Sequence, residues 1–252
     1  MLTFKSFMVE AKAVNSLAPV KGPSFPEIKA QDKASEAGFK KTGKKAKPTP
    51  EQETVLRKYT KSPSSLTDKD HEHLHNFLHS QKTEHEGHVY RGYHPLHHEF
   101  EKADKKAGHE VPHIDIHHPH PMSTTTDARS ATIFAGKDDD YHKHLPKPLQ
   151  KRLATKNMSN GHDSYDKVAH MMRLKVPKGH HAAHIKDHSE FEGNDNIMGH
   201  SDESEVLFPK GQTVRIYRHP TVTRKMTGFG GNQRRYHMIT WHGEVLPHGH
   251  KD

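Results

Sequence analysis

Two carboxylates two residues apart, Glu203 and Glu205, stand in the run Ser201-Asp202-Glu203-Ser204-Glu205-Val206-Leu207-Phe208-Pro209-Lys210-Gly211. An apolar strand follows them and a Pro-Lys-Gly turn closes it. In an extended chain residues i and i+2 project to the same side, so the two glutamates point together. Like charges roughly 7 Å apart repel by about 2 kcal/mol at an effective dielectric near 20, enough to lift one pKa by about a unit. Solvent or a cationic ligand relieves that repulsion most easily. Alone, the pair reads as an exposed acidic turn ahead of a buried strand, the ordinary setting for charged loop residues.

Other polar groups lie upstream on elements able to hold them still. Gly87 to His94 reads as a short strand in which Arg91 precedes Gly92. Pro121 to Gly136 reads as a strand end carrying the hydroxyls of Ser123, Thr124 and Thr125, then a helix. Asp127 or Thr126 can cap that helix, with Ala131, Phe134 and Ala135 on one face. Residues 168–176 form a further strand running into Pro177-Lys178-Gly179. Strands over 206–208, 213–217 and 236–245 complete the set. Gly228-Phe229-Gly230-Gly231 lacks the Lys and Ser/Thr of a nucleotide loop and reads as a hairpin connection. Ahead of all of these, Val55, Leu56 and Tyr59 fall at helical spacing, and Ser65-Leu66-Thr67-Asp68 caps a second helix carrying Leu74, Phe77 and Leu78.

In that order, Tyr-Arg-Gly, then Ser-Thr-Thr with alanine and phenylalanine downstream, then Glu-x-Glu-Val-Leu-Phe-Pro-x-Gly resemble the mono-ADP-ribosyltransferases of the Arg-Ser-Glu class. The resemblance covers about residues 54 to 245, with Thr125 where the family usually has a second serine. It implies an α+β fold, a split β-sandwich of two mostly antiparallel sheets behind an N-terminal helical part. It also implies NAD as substrate, no metal, and an arginine side chain of a protein as acceptor. Nicotinamide leaves NAD as a neutral base and needs no general acid, so the demand is to stabilise an oxocarbenium-like ribosyl centre. By resemblance Glu205 meets that demand, while Glu203 orients the acceptor guanidinium and takes its proton. Arg91 then contacts NAD phosphate or ribose and ties the sheets together, and Ser123 holds Glu205 in its rotamer. Gly92, Thr124, Thr125 and Phe134 line the same NAD cleft. Acceptor choice is expected in the loop from His184 to Asp202, and the apolar residues of the two N-terminal helices are expected behind the nicotinamide pocket, as core.

Composition bounds the rest. The chain has 252 residues, 30% of them apolar, with mean hydropathy -1.03, room for one modest domain and polar tails. No apolar run approaches the length of a spanning helix, and the absence of cysteine excludes disulfides, thiolate catalysis and cysteine-based zinc sites. Met1 to Ala11 is too short and too acidic at its end for a secretory signal. It resembles the capsid-targeting peptides of internal head proteins of tailed bacteriophages, cut after an aliphatic-x-Glu triplet, here Met8-Val9-Glu10. From residue 11 to 60 there are eleven Lys or Arg against five Asp or Glu, interrupted by five prolines. Such a segment attracts polyanions in a salt-dependent way, with packaged DNA as the counter-charge if the chain travels in a phage head.

The expected organisation is therefore a targeting peptide over 1–10, a flexible basic linker over 11–53, a catalytic domain over 54–247 and a tail over 248–252. The protein is expected to be monomeric, to sit in the virion interior and then the host cytoplasm if phage-derived and otherwise in the cytoplasm, and to contact no membrane. Two rival readings stand beside this one, a DNA-binding head protein with an inactive transferase domain and a NAD glycohydrolase that uses Glu205 and water.

Fourteen of the 28 histidines lie between residues 71 and 120. His109-Glu110-Val111-Pro112-His113 matches the zinc-protease pattern H-E-x-x-H, whose two imidazoles meet one metal only on a helix. Pro112 stands against that helix. His71-x-His73-x-His75, His97-His98 and His117-His118-x-His120 read as solvent-facing surface, and Asp138-Asp139-Asp140 as a solvated turn.

Overall fold

Alternating apolar side chains need two covered faces, and the strands supply both. The computed structural model describes residues 30–31, 33–39, 47–94, 96–128, 130–131, 135, 137–138, 168–185, 204–227 and 234–247. Residues 30–31 and 33–39 are helical and are called α1. Then come α2 (Pro50–Lys61), α3 (Asp68–Ser80), β1 (Gly87–Tyr93), α4 (His97–Ala107), β2 (His113–His118) and β3 (Met122–Thr125). The remaining strands are β4 (Lys137–Asp138), β5 (Val168–Val176), β6 (Ala183–His184), β7 (Glu205–Phe208), β8 (Gln212–Tyr217), β9 (Thr221–Thr227) and β10 (Arg234–Val245).

Hydrogen bonds link the strands in the order β2-β8-β10-β5-β1-β3-β7-β6, with β4 on β5 and β9 on β10. All pairs are antiparallel except β5 with β10. The thinnest link joins β1 to β3, where Tyr90 and Thr125 are the paired residues. On either side of that seam the sheet packs against itself. Met122, Val206 and Phe208 from β3 and β7 share one core with Val89, Met172, Leu174, Ile216 and Trp241 from the larger half. The two expected packed layers are thus halves of one hydrogen-bonded path, an α+β arrangement with mostly antiparallel strands. At the crossing of β8 and β10 a Cβ added to Gly243 would lie 2.2 Å from the Arg215 carbonyl oxygen, so only glycine allows this approach.

Helices α2 and α3 cover the other face of the smaller half. Capping boxes start both, Thr49 with Gln52 and Thr67 with Asp70, and the 2.6 Å Lys58–Asp70 ion pair joins them. Val55, Leu56 and Tyr59 from α2 and Leu74, Phe77 and Leu78 from α3 pack on Ala183, Ile185 and Leu207. After β3 the chain turns into a helical segment, with Asp127 accepting from the Ser130 amide and hydroxyl. Ala131 and Ala135 from this segment are buried against Tyr90, Ala169, Met171 and Met238.

Three expectations change. The segment expected as linker over 11–53 holds α1, and its Phe39 is 2% exposed within the main core. One aromatic anchor and backbone hydrogen bonds fix a stretch whose composition reads as solvated. Second, the histidines are not uniformly surface. His97 is buried beside His170 and Trp241, because it shares with Phe100 the inward face of α4. His118 is half-buried, whereas His98, His117 and His120 are solvent-facing. Third, α4 and β9 were not expected from the sequence. Helix α4 ends at Gly108 with φ 74, so His109 lies beyond it and His113 opens β2, leaving the H-E-x-x-H pattern off any helix. Of the acidic turn only Asp138 is among the described residues, in β4. Among the described residues no helix is long and apolar enough to cross a membrane.

The buried imidazoles make stability depend on pH. His170 accepts the Trp241 indole N–H at Nδ1 (3.2 Å), and burial, aided by His97 and His94, pushes it down to about 3. An unfolded histidine titrates near 6.5, so between these values the unfolded chain binds the proton that the folded protein refuses. Stability from this group is complete above about pH 6.5 and is lost as the pH falls toward 3. Unfolding by urea should show about 2 kcal/mol less stability at pH 5 than at pH 7 from this group alone, and His170→Gln should remove that part of the slope. Equal slopes in the two proteins would contradict the assignment. His88 and His118, each pushed by burial to about 4, act in the same direction.

Candidate functional site

Strand β3 meets β7 with Ser123 opposite Leu207 and Thr125 opposite Glu205. Ser123, Thr125, Glu205 and Leu207 therefore share one face, the face covered by α2 and α3. Ser123 and Glu205 are diagonal neighbours on it, a spacing that a long side chain spans. The Ser123 hydroxyl donates to Glu205 Oε1 at 2.6 Å, a short, charge-assisted bond that fixes the carboxylate rotamer. Thr125 Oγ1 accepts from the Asp127 amide at 3.0 Å and shapes the turn beneath. Thr124 turns to the opposite face, where its hydroxyl donates to the Val206 carbonyl at 2.8 Å and is buried. Its side chain holds the strand pair together and does not line the Glu205 face.

Arg91 reaches this face across the seam. It sits on β1 opposite Met172 of β5, and its guanidinium donates to the Ser123 carbonyl. One side chain thus bonds the larger half of the sheet to the strand that orients Glu205. Burial weakens the hold of the guanidinium on its proton, and Tyr59, Tyr93 and Glu205 oppose that effect. It remains a cation, as arginine does in proteins. Gly92 follows on the same strand, opposite Met171.

Tyr59 belongs to the site as well as to the core. Burial pushes its phenol up, Glu205 adds to the rise and Arg91 opposes it. Carboxylate, guanidinium and phenol thus act on one another in one partly buried recess. Its helical spacing in the sequence marked Tyr59 as core; that it also stands beside the charged pair depends on how α2 lies over β7, which periodicity does not report. His118 is a further neighbour. Burial and then the Arg91 charge push its imidazole down to about 4, so it is neutral beside that cation at pH 7.

The structure thus brings together Arg91, Ser123, Thr125 and Glu205, with Gly92 alongside. Glu203, Phe134 and residues 186–202 of the expected acceptor loop lie outside the described residues. Among the described residues no group of three or more His, Asp or Glu is arranged to hold a metal ion.

Comparisons with known proteins give a family. No curated protein sequence matches the chain. Among solved structures it is similar to Plx2a, an ADP-ribosyltransferase toxin from Paenibacillus larvae, at 17% identity over 87% of this chain and 96% of that one, with TM-score 0.46. The Clostridium limosum C3 exoenzyme is similar at 15% identity over 85% and 94%, with TM-score 0.47. C3stau2 from S. aureus, solved with NAD, is similar at 16% identity over 86% and 95%, with TM-score 0.47. The family model of the ADP-ribosyltransferase exoenzymes matches residues 36–240, most of the chain. The chain belongs to the ADP-ribosyltransferase exoenzyme family, whose reaction transfers ADP-ribose from NAD.

Proposed function

We propose that the protein transfers ADP-ribose from NAD to arginine side chains of acceptor proteins, with Glu205 as the carboxylate that stabilises the reacting ribose. The observation that carries this reading is the Ser123–Glu205 hydrogen bond of 2.6 Å beside the Arg91 guanidinium. A preorganised carboxylate gains most against a positive charge that develops during reaction, since its orientation has already been fixed by folding. In the proposed step the bond between the ribose anomeric carbon and the nicotinamide nitrogen breaks, and its electron pair leaves with neutral nicotinamide. The oxocarbenium-like ribose then lies against the Glu205 carboxylate. Arg91 is suited to bind NAD phosphate, because a guanidinium offers a planar fork to phosphate oxygens.

The acceptor must then lose a proton. A guanidinium has a pKa above about 12 and is a poor nucleophile while protonated. A second carboxylate, Glu203, pairs with it, orients one nitrogen toward the anomeric carbon and takes the proton as the new carbon–nitrogen bond forms. Glu203→Gln should therefore lose arginine transfer by about 10²-fold or more, the range for removing a general base, while NAD cleavage to free ADP-ribose continues. Release of nicotinamide and labelling of a small guanidine acceptor, followed in one reaction, measure both. Transfer at the wild-type rate in Glu203→Gln would remove Glu203 from the mechanism, and free ADP-ribose as the sole product of the wild type would favour a glycohydrolase.

On the same reading the protein acts as a monomer on host proteins after delivery from a phage head. The resemblance of residues 1–10 to capsid-targeting peptides supports delivery, and the basic stretch over 11–60 suits non-specific contact with packaged DNA. Mass spectrometry of purified virions, with a mature N-terminus at Ala11, is the expected result; a chain absent from virions contradicts it.

A further inference from the structure

The residue between the two glutamates is held from behind. Ser204 is 4% exposed, and its hydroxyl donates to Glu36 Oε1 at 2.9 Å. Glu36 belongs to α1, 168 residues away in the chain. The backbone on either side of that bond is also fixed, since the Ser204 carbonyl accepts the Thr126 amide at 3.0 Å and the Glu205 carbonyl accepts the Ile185 amide at 3.0 Å. Helix α1 is itself anchored independently of Glu36. Ser35 Oγ accepts the His88 amide at 2.9 Å, and Phe39 is buried against Gly87, where an added Cβ would come to 3.0 Å of the ring. Gln31 accepts from Arg173 of β5.

We infer that Glu36 is a positioning residue of the transferase, and that α1 acts as a clamp setting the entry of the chain into β7. The inference rests on the proposed role of Glu205. Successive residues of an extended chain point to opposite sides, so a bond that fixes the Ser204 side chain on one side fixes the direction of Glu205 on the other. A carboxylate that must meet a reacting centre loses rate steeply with small displacements. Ser123 holds the carboxylate end of Glu205, and Glu36 holds the start of its strand.

Glu36→Ala should lower kcat for ADP-ribosyl transfer about tenfold, the size expected for one lost hydrogen bond, with KM for NAD within about twofold of wild type. Glu36→Gln should restore kcat, because the amide oxygen accepts the same hydroxyl. Ser204→Ala should match Glu36→Ala, and the double variant should be no slower than either, because the two partners form one interaction. Amide exchange of Thr126, measured on the folded proteins without substrate, should quicken about tenfold in Glu36→Ala and return to wild type in Glu36→Gln. Additive losses in the double variant, a Glu36→Gln as slow as Glu36→Ala, or wild-type exchange at Thr126 would overturn the clamp. Wild-type protein that transfers nothing would instead count against the proposed function, and the exchange measurement would still decide whether α1 holds this strand.

Discussion

Glu205→Gln is expected to slow both ADP-ribosyl transfer and NAD cleavage about 10³-fold, the loss typical of removing one preorganised electrostatic group from a reaction centre. The substitution keeps the size of the side chain and leaves an amide oxygen able to accept the Ser123 hydroxyl, now bonded to Glu205 Oε1 at 2.6 Å. It removes the negative charge. Rate and fold therefore separate, and the thermal unfolding midpoint should stay near wild type while single-turnover release of nicotinamide collapses. Glu205 is partly exposed, whereas Val206, Leu207 and Phe208 behind it carry the packing of β7. A variant that keeps its rate would show that the carboxylate is not what the recess is built to present.

Arg91→Lys should cost about 10²-fold in kcat/KM for NAD. The ammonium keeps the charge but loses the planar fork that at once donates to the Ser123 carbonyl and suits a phosphate. It would also leave a more strongly hydrated cation in a site whose burial already disfavours the charged form of Arg91. Because the proposed contact is with NAD in its ground state as well as during reaction, most of the loss should appear in KM. Steady-state kinetics with varied NAD distinguishes this from a loss confined to kcat, which would place Arg91 in the orientation of Glu205 alone.

Much of this geometry was legible in the sequence where chemistry-bearing residues sit on alternating strands. Ser123 and Glu205 fall on neighbouring strands whose apolar partners, Met122 and Val206 to Phe208, fix the face each side chain takes. The helical spacing of Val55, Leu56 and Tyr59 gave α2 away, and the stretch from Ser65 to Asp68, which holds the Thr67 cap, gave α3. Helix α1 was hidden, since Phe39 is its one large buried apolar side chain and the surrounding lysines and prolines read as linker. Helix α4 was hidden for a related reason. Its inward face is His97, Phe100 and Ala103, and most of the rest is Lys, Asp or Glu, so a helical period barely shows. Thr124 illustrates a different limit. Three consecutive hydroxyl residues look alike in a sequence, but the pleat turns the middle one to the other face, where it bonds the Val206 carbonyl.

The proposed movement of ADP-ribose onto arginine by means of Glu205 can be followed with NAD labelled in its adenylate half. Wild type and Glu205→Gln are incubated side by side with a bacterial lysate, and labelled peptides are sequenced by mass spectrometry. ADP-ribose is expected on arginine side chains in the wild-type reaction and none in the variant. Label on a different side chain, or label that persists in Glu205→Gln, would contradict it.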